Sequence, residues 1–218
     1  MRRRLVNLCF HGIGAPGREL EPDEERYWVT EEQFGELLEA VGRYPQLRMT
    51  FDDGNASDAT FALPALRRAG LRASFFVIAG RLGEPGSLSA TDVGDLARGG
   101  MTVGTHGFRH RPWRALDDGE LEEELVGARE AIAAAAGRPV EEAACPFGAY
   151  DRRVLRALRQ AGFRRVYTVD EGPSRPGDWL QPRYTIRESD TASLLERLAL
   201  GSGRGLARSF KTAVKRWR

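Results

Sequence analysis

The sequence predicts an α/β fold built on a parallel sheet. Three observations carry that prediction. Short apolar runs alternate with longer amphipathic runs about six times along the chain, the pattern of strands each followed by a helix. Residues 73–78 (Ala-Ser-Phe-Phe-Val-Ile) are almost continuously apolar, as strands covered on both faces are. The conspicuous polar residues also collect directly behind the predicted strands rather than scattering over the chain. They are His11, Asp52 with Asp53, His106 with His110, the Pro146-Phe147-Gly148 turn, and Asp170 with Glu171. A parallel sheet closes into a barrel or stays open and doubly wound, and both forms place their chemistry at the carboxyl ends of strands. The doubly wound form lacks its usual support here, because no G-x-G-x-x-G follows the first strand.

In chain order, residues 5–10 read as the first strand. Residues 30–41 read as a helix with Phe34, Leu37, Leu38 and Val41 on one face, and Thr30 with Gln33 resembles a capping box. Residues 47–51 form the next strand. A helix follows within residues 57–69, closed by Gly70, with Pro64 either kinking it or marking its start. Asp58 reads as the cap of that helix and carries no chemistry. Beyond the strand at 73–78 come a helix at 89–98, a strand at 101–105 and a long helix at 117–136. A short strand at 143–145, a helix at 151–161, a strand at 165–169 and a last helix at 191–200 complete the core. No repeat and no Ser/Gly/Pro linker divides the chain, so residues 1–203 read as one domain.

Composition narrows the function. The 218 residues carry 33 Lys and Arg against 31 Asp and Glu, a net charge of +2 that gives no electrostatic basis for a dedicated nucleic-acid binder. Two cysteines, Cys9 and Cys145, cannot build a disulfide framework. The apolar stretch at 5–10 is short and interrupted by His11-Gly12, so neither a secretory signal nor a membrane span is expected and a cytoplasmic location is.

The chemistry begins with His106-Gly-Phe-Arg-His110. Two imidazoles plus one carboxylate make a three-ligand metal set that leaves positions open for water and substrate. The carboxylate candidates are Asp52 and Asp53, in Thr50-Phe51-Asp52-Asp53-Gly54. Adjacent carboxylates repel unless a cation compensates, and neighbouring side chains point different ways. The natural division is one ligand and one free base. Cys145 reads as a small buried residue rather than a nucleophile.

These residues together resemble the NodB-type polysaccharide deacetylases, carbohydrate esterase family 4, over residues 5–186. Thr50–Gly54 matches the family's T-F-D-D-G motif, and His106–His110 its H-x₃-H motif. Ala144-Cys145-Pro146-Phe147-Gly148 is similar to the third motif, R-x-P-[FY]-G, and Asp178-Trp179 to the fourth. The resemblance implies a distorted (β/α)₇ barrel. It implies one divalent metal, usually Zn²⁺ (with Co²⁺, Ni²⁺, Mn²⁺ or Fe²⁺ as alternatives), held by Asp53, His106 and His110. Asp52 would be the general base. The N–H of Phe147, beside Gly148, would help form an oxyanion hole, and Trp179 would line the site. The sequence departs from the family in two places. The third-motif arginine that tethers the base is Ala144, for which Arg183 is the candidate substitute. No histidine follows His110 to act as the general acid. Phe10-His11-Gly12, with Tyr27-Trp28-Val29-Thr30 through Phe34, resembles the permuted order of the poly-N-acetylglucosamine deacetylases, whose acid lies on the first strand. His11 therefore takes that role. The expected reaction is hydrolysis of an N-acetyl group on a glycan or a lipid-linked sugar. A non-sugar amidohydrolase and a silent carbohydrate-binding barrel are the alternatives.

Residues 204–218 hold six basic residues and no acid. On a helix, Leu206, Phe210, Ala213 and Trp217 would share one stripe opposite the charges, a layout suited to the surface of an anionic membrane, here its inner face.

Overall fold

A computed structural model describes residues 4–201. The basic segment 204–218 lies outside the described residues. The strands are β1 (Val6–Phe10), β2 (Gly12–Ile13), β3 (Trp28–Val29), β4 (Leu47–Phe51), β5 (Ala73–Val77), β6 (Thr102–Thr105), β7 (Glu142–Ala144), β8 (Arg165–Thr168) and β9 (Leu180–Thr185). The helices are α1 (Glu31–Arg43), α2 (Leu63–Ala69), α3 (Ala90–Arg98), α4 (Asp118–Glu122), α5 (Ala128–Ala136), α6 (Arg152–Gln160) and α7 (Ala192–Leu200). Seven strands close a parallel barrel in the order β1-β4-β5-β6-β7-β8-β9, and β9 pairs back onto β1. The barrel is irregular where β7, three residues long, meets β6 through a single registered pair, Thr105 with Ala143. This is the distorted (β/α)₇ barrel. No described helix is long and apolar enough to cross a membrane.

Strand alternation sorts the core into two regions. Val6, Leu8 and Phe10, with Met49, Phe51, Phe75 and Val77, face the helices and pack against Phe34, Leu37, Leu66 and Leu96. The opposite faces meet inside the barrel, where polar groups mix with apolar ones. Asn7 donates to Gln181 Oε1 and Ser174 Oγ, and Arg183 donates to Thr50 Oγ1. Phe76, Ala144 and Tyr167 pack beside them.

The local chemistry of α1 matches its sequence: Thr30 Oγ1 accepts from Gln33 N at 3.0 Å. Three expectations need correction. Asp58 does not cap a helix. It is fully buried at the head of an i→i+5 turn (Asp58–Ala62) that leads into α2, and neither carboxylate oxygen finds a hydrogen-bond partner among the described residues. Ser57 is engaged elsewhere, accepting from Ile13 N. The helix expected over 117–136 is interrupted by a second such turn, Glu123–Gly127, which rotates Glu124 inward. The seventh barrel strand, β9, lies where the sequence pattern marks no strand. Its buried positions are Gln181 and Arg183 and it contains Pro182, so neither apolar alternation nor composition marks it as a strand.

Candidate active site

The carboxyl ends of the strands surround a cavity of about 340 Å³ whose wall includes His11, Asp52, Asp53, His106, His110 and Phe147. Segment 21–27, between β2 and β3, roofs it, with Tyr27 stacked on His11 at 5.2 Å between ring centroids.

Asp52 and Asp53 follow β4. Asp53 adopts a left-handed backbone (φ 73°) that turns consecutive carboxylates apart. Asp52 faces the barrel axis, where Arg183 on β9 grips it with a two-pronged hydrogen bond, Nη1 to Oδ1 at 2.6 Å and Nη2 to Oδ2 at 2.7 Å. Both side chains are essentially out of solvent, at 0% and 2% exposure. The guanidinium lies over the rings of Phe76 and Tyr167, which pack with Ala144. The small residue at 144 thus leaves room for an arginine reaching in from β9. Burial alone would raise the Asp52 carboxyl, but the Arg183 charge overrides it and holds Asp52 well below the usual carboxylate range. Cys9 donates a weak hydrogen bond to Asp52 Oδ2 at 3.3 Å.

Asp53 Oδ1 points the other way and is buried without a hydrogen-bond partner among the described residues. His106 Nε2 lies 3.7 Å from it and His110 Nε2 3.5 Å. His106 Nδ1 is 2.9 Å from Ala144 O, so this nitrogen carries the proton and Nε2 keeps its lone pair. Burial pushes His106 down to about 4 against the pull of Asp52, leaving it neutral near pH 7. One buried carboxylate oxygen and two imidazole nitrogens converging on one point fit a divalent cation such as zinc. Cys9, His11 and Asp52 also cluster. That group is the poorer metal site, because the Arg183 fork already occupies both Asp52 oxygens and places a cation there.

The loop carrying the histidines is held by a residue that the sequence did not single out. Glu124 accepts from Phe108 N at 2.8 Å and Arg109 N at 2.9 Å, clamping the backbone between His106 and His110. A Cβ on Gly107 would fall 2.4 Å from Glu124 Oε2, so only glycine fits beneath the clamp. His110 (φ 54°) and Phe147 (φ 56°) share the left-handed conformation of Asp53, which concentrates backbone strain at this site.

Phe147 is 55% exposed, and its ring packs on His110 at 4.4 Å. Gly148 turns the chain behind it, donating to Cys145 O. His11 lies at the end of β1 with Nδ1 buried and unbonded among the described residues. Trp113 is core, and Trp28 packs across Gly12. Trp179 does not line the site. It precedes β9 and therefore lies at the opposite end of the barrel, with its indole donating to Phe163 O at 2.8 Å and Arg159 stacked 3.9 Å above the ring.

The sequence model of the polysaccharide deacetylase family matches residues 42–166, more than half of the chain. The chain belongs to that family, the NodB-type deacetylases. Among curated relatives, the chitooligosaccharide deacetylase of Rhizobium leguminosarum bv. trifolii is 29% identical over 161 residues, covering 73% of this chain and 69% of its own. YxkH of Bacillus subtilis (strain 168) is 21% identical over 141 residues, covering 65% of this chain, and the match spans only 50% of that protein. The fold is shared with the Streptococcus pyogenes deacetylase PplD, solved with acetate (TM-score 0.78, 17% identity, 90% of this chain and 98% of that one). It is also shared with IcaB from Ammonifex degensii (TM-score 0.72, 23% identity, 90% and 95%).

Proposed function

We propose that this chain is a metal-dependent hydrolase that removes N-acetyl groups from an N-acetylhexosamine-containing glycan or glycan precursor. The observation that carries the reading is the division of labour between adjacent aspartates. Asp53 faces two imidazoles, and Asp52 is held apart by Arg183 at the edge of the same cavity. Family membership and the chitooligosaccharide deacetylase among its relatives support a sugar substrate.

Asp53, His106 and His110 would hold the cation, which when bound supplies Lewis acidity toward the acetyl carbonyl and lowers the pKa of water. Asp52, ionised and aligned by Arg183, accepts the proton of the attacking water. A strongly depressed carboxylate is a weak base, yet it is never lost to protonation in the working pH range. The Phe147 N–H would stabilise the developing oxyanion. His11, braced by Tyr27, delivers a proton to the leaving nitrogen, so the products are a free sugar amine and acetate.

The test is acetate release from N-acetylated chitooligosaccharides and from simple amides, with metal removed and restored. Asp53→Asn should lose metal and activity together. Asp52→Asn should keep metal and lose roughly 10²–10⁴ in rate. Full turnover by metal-free protein would refute the reading, as would the reverse assignment of the two aspartates.

A further inference from the structure

His110 lies between two carboxylates. Asp53 Oδ1 is 3.5 Å from Nε2, and Glu21 Oε1 is 3.5 Å from Nδ1, on the other edge of the ring. Nδ1 is shielded from solvent and makes no hydrogen bond among the described residues. Glu21 reaches it from the roof over the cavity, outside the short motifs that carry Asp53, His106 and His110.

The placement of Glu21 is tied to both ligand-bearing loops. Arg81 Nη2 bonds Glu21 Oε1 at 2.6 Å. Arg81 ends a tight turn whose Ala79 N and Gly80 N donate to Gly107 O and Phe108 O, inside the histidine loop. On the other side, Glu21 N donates to Glu24 Oε2 at 2.8 Å, Glu24 pairs with Arg18, and Arg18 Nε bonds Asn55 Oδ1 at 3.1 Å. Asn55 is two residues beyond Asp53. The roof is therefore clipped to the aspartate loop through Arg18 and to the histidine loop through Arg81.

A metal-bound imidazole keeps its N–H on the nitrogen turned away from the metal. With Nε2 facing Asp53, that nitrogen is Nδ1, and its 3.5 Å approach to Glu21 needs only a few tenths of an ångström to become a charge-assisted hydrogen bond.

We propose that Glu21 is a positioning residue for the metal centre, orienting His110 through Nδ1, and that metal binding in turn fastens the roof, residues 21–27, over the cavity. This rests on the metal-dependent reading above. Carboxylate partners of metal-bound histidines typically contribute about 10–100-fold to metal affinity. Linkage requires the roof to be held more firmly by the same factor when metal is present.

The experiment measures zinc affinity by competition with a chromophoric chelator for the full chain, Glu21→Gln and Glu21→Ala. Cobalt substitution adds a spectroscopic readout, and trypsin cleavage at Arg18 and Arg26, mapped by mass spectrometry, reports on the roof. Glu21→Ala should bind zinc about 10–100-fold more weakly, with a shifted cobalt spectrum and no zinc-dependent protection at Arg18 and Arg26. Glu21→Gln, which keeps an acceptor oxygen without the charge, should fall between. Equal zinc affinity and identical cobalt spectra for the full chain and Glu21→Ala would overturn the role of Glu21 while leaving the metal centre intact. Failure of the unmodified chain to bind zinc or cobalt would overturn both readings.

Discussion

Replacing Arg183 by Gln is the sharpest perturbation of the proposed base. It removes the two bonds of 2.6 and 2.7 Å that satisfy Asp52 and leaves a carboxylate with 2% exposure without its guanidinium countercharge. Removing one partner of a buried pair costs about 3–5 kcal/mol. A domain of this size has about 5–15 kcal/mol of stability, so the variant should fold with Tm lowered by roughly 6–20 °C. The pH dependence carries the mechanistic information. With Arg183 present, Asp52 stays ionised through the working range and cannot set the acid limb of kcat/KM. Without the guanidinium, burial dominates and raises the carboxyl, so a growing share of the base is protonated as pH falls. The rate deficit of Arg183→Gln should therefore shrink as pH rises. Arg183→Lys, which keeps the charge but not the fork, should lie between the two. The stability gap should persist above about pH 4, where the unfolded carboxyl ionises, and close as pH falls through the depressed folded value. Acetate release at pH 5–9 and urea unfolding at matched pH measure both effects. A deficit constant across pH would refute the tether argument.

His11→Ala should leave metal content unchanged and slow turnover, with a smaller loss on substrates whose leaving amine needs little protonation; equal losses on both would make His11 structural. Asp58 is buried, and both desolvation and the nearby Asp53 and Asp52 raise its carboxyl well above the usual carboxylate range. The unfolded chain gives up that proton near pH 4 while the fold keeps it, so stability drains as pH rises by about 1.4 kcal/mol per unit. Asp58→Asn should remove the slope, and urea unfolding at pH 5, 6 and 7 should diverge between the two proteins; parallel curves would contradict the buried acid. Glu124→Gln exchanges one acceptor for a donor that faces the Phe108 and Arg109 N–H groups. It should cost about 2 kcal/mol in urea unfolding, and a neutral result would mean that the clamp is idle.

The parts legible in the sequence are those governed by local patterning. The strand at 47–51 and the Thr30 cap are set by neighbours within a few residues, as is the collection of polar residues behind the strands. The site residues visible in advance were those within short motifs. Groups that reach the site from elsewhere were harder to see. Glu124 sits in Glu122-Glu123-Glu124, which reads as a solvated helix face until an i→i+5 turn rotates it inward. Glu21 belongs to an acidic stretch with no periodicity. Arg183 could be nominated only because position 144 lacked its arginine, and its strand stayed hidden because function had replaced the apolar residues that mark a strand. Trp179 fails for the converse reason: its neighbours resemble a motif, but it precedes β9 and so falls at the wrong end of the barrel.

The pairing of Arg183 with Asp52 spans 131 residues, and the arginine lies on the strand that closes the ring onto β1. At a synthesis rate of roughly 5–20 residues per second, Asp52 emerges about 7–26 s before its countercharge exists. The base therefore gains its countercharge only from the strand that closes the ring onto β1, so the same strand completes the barrel and the base.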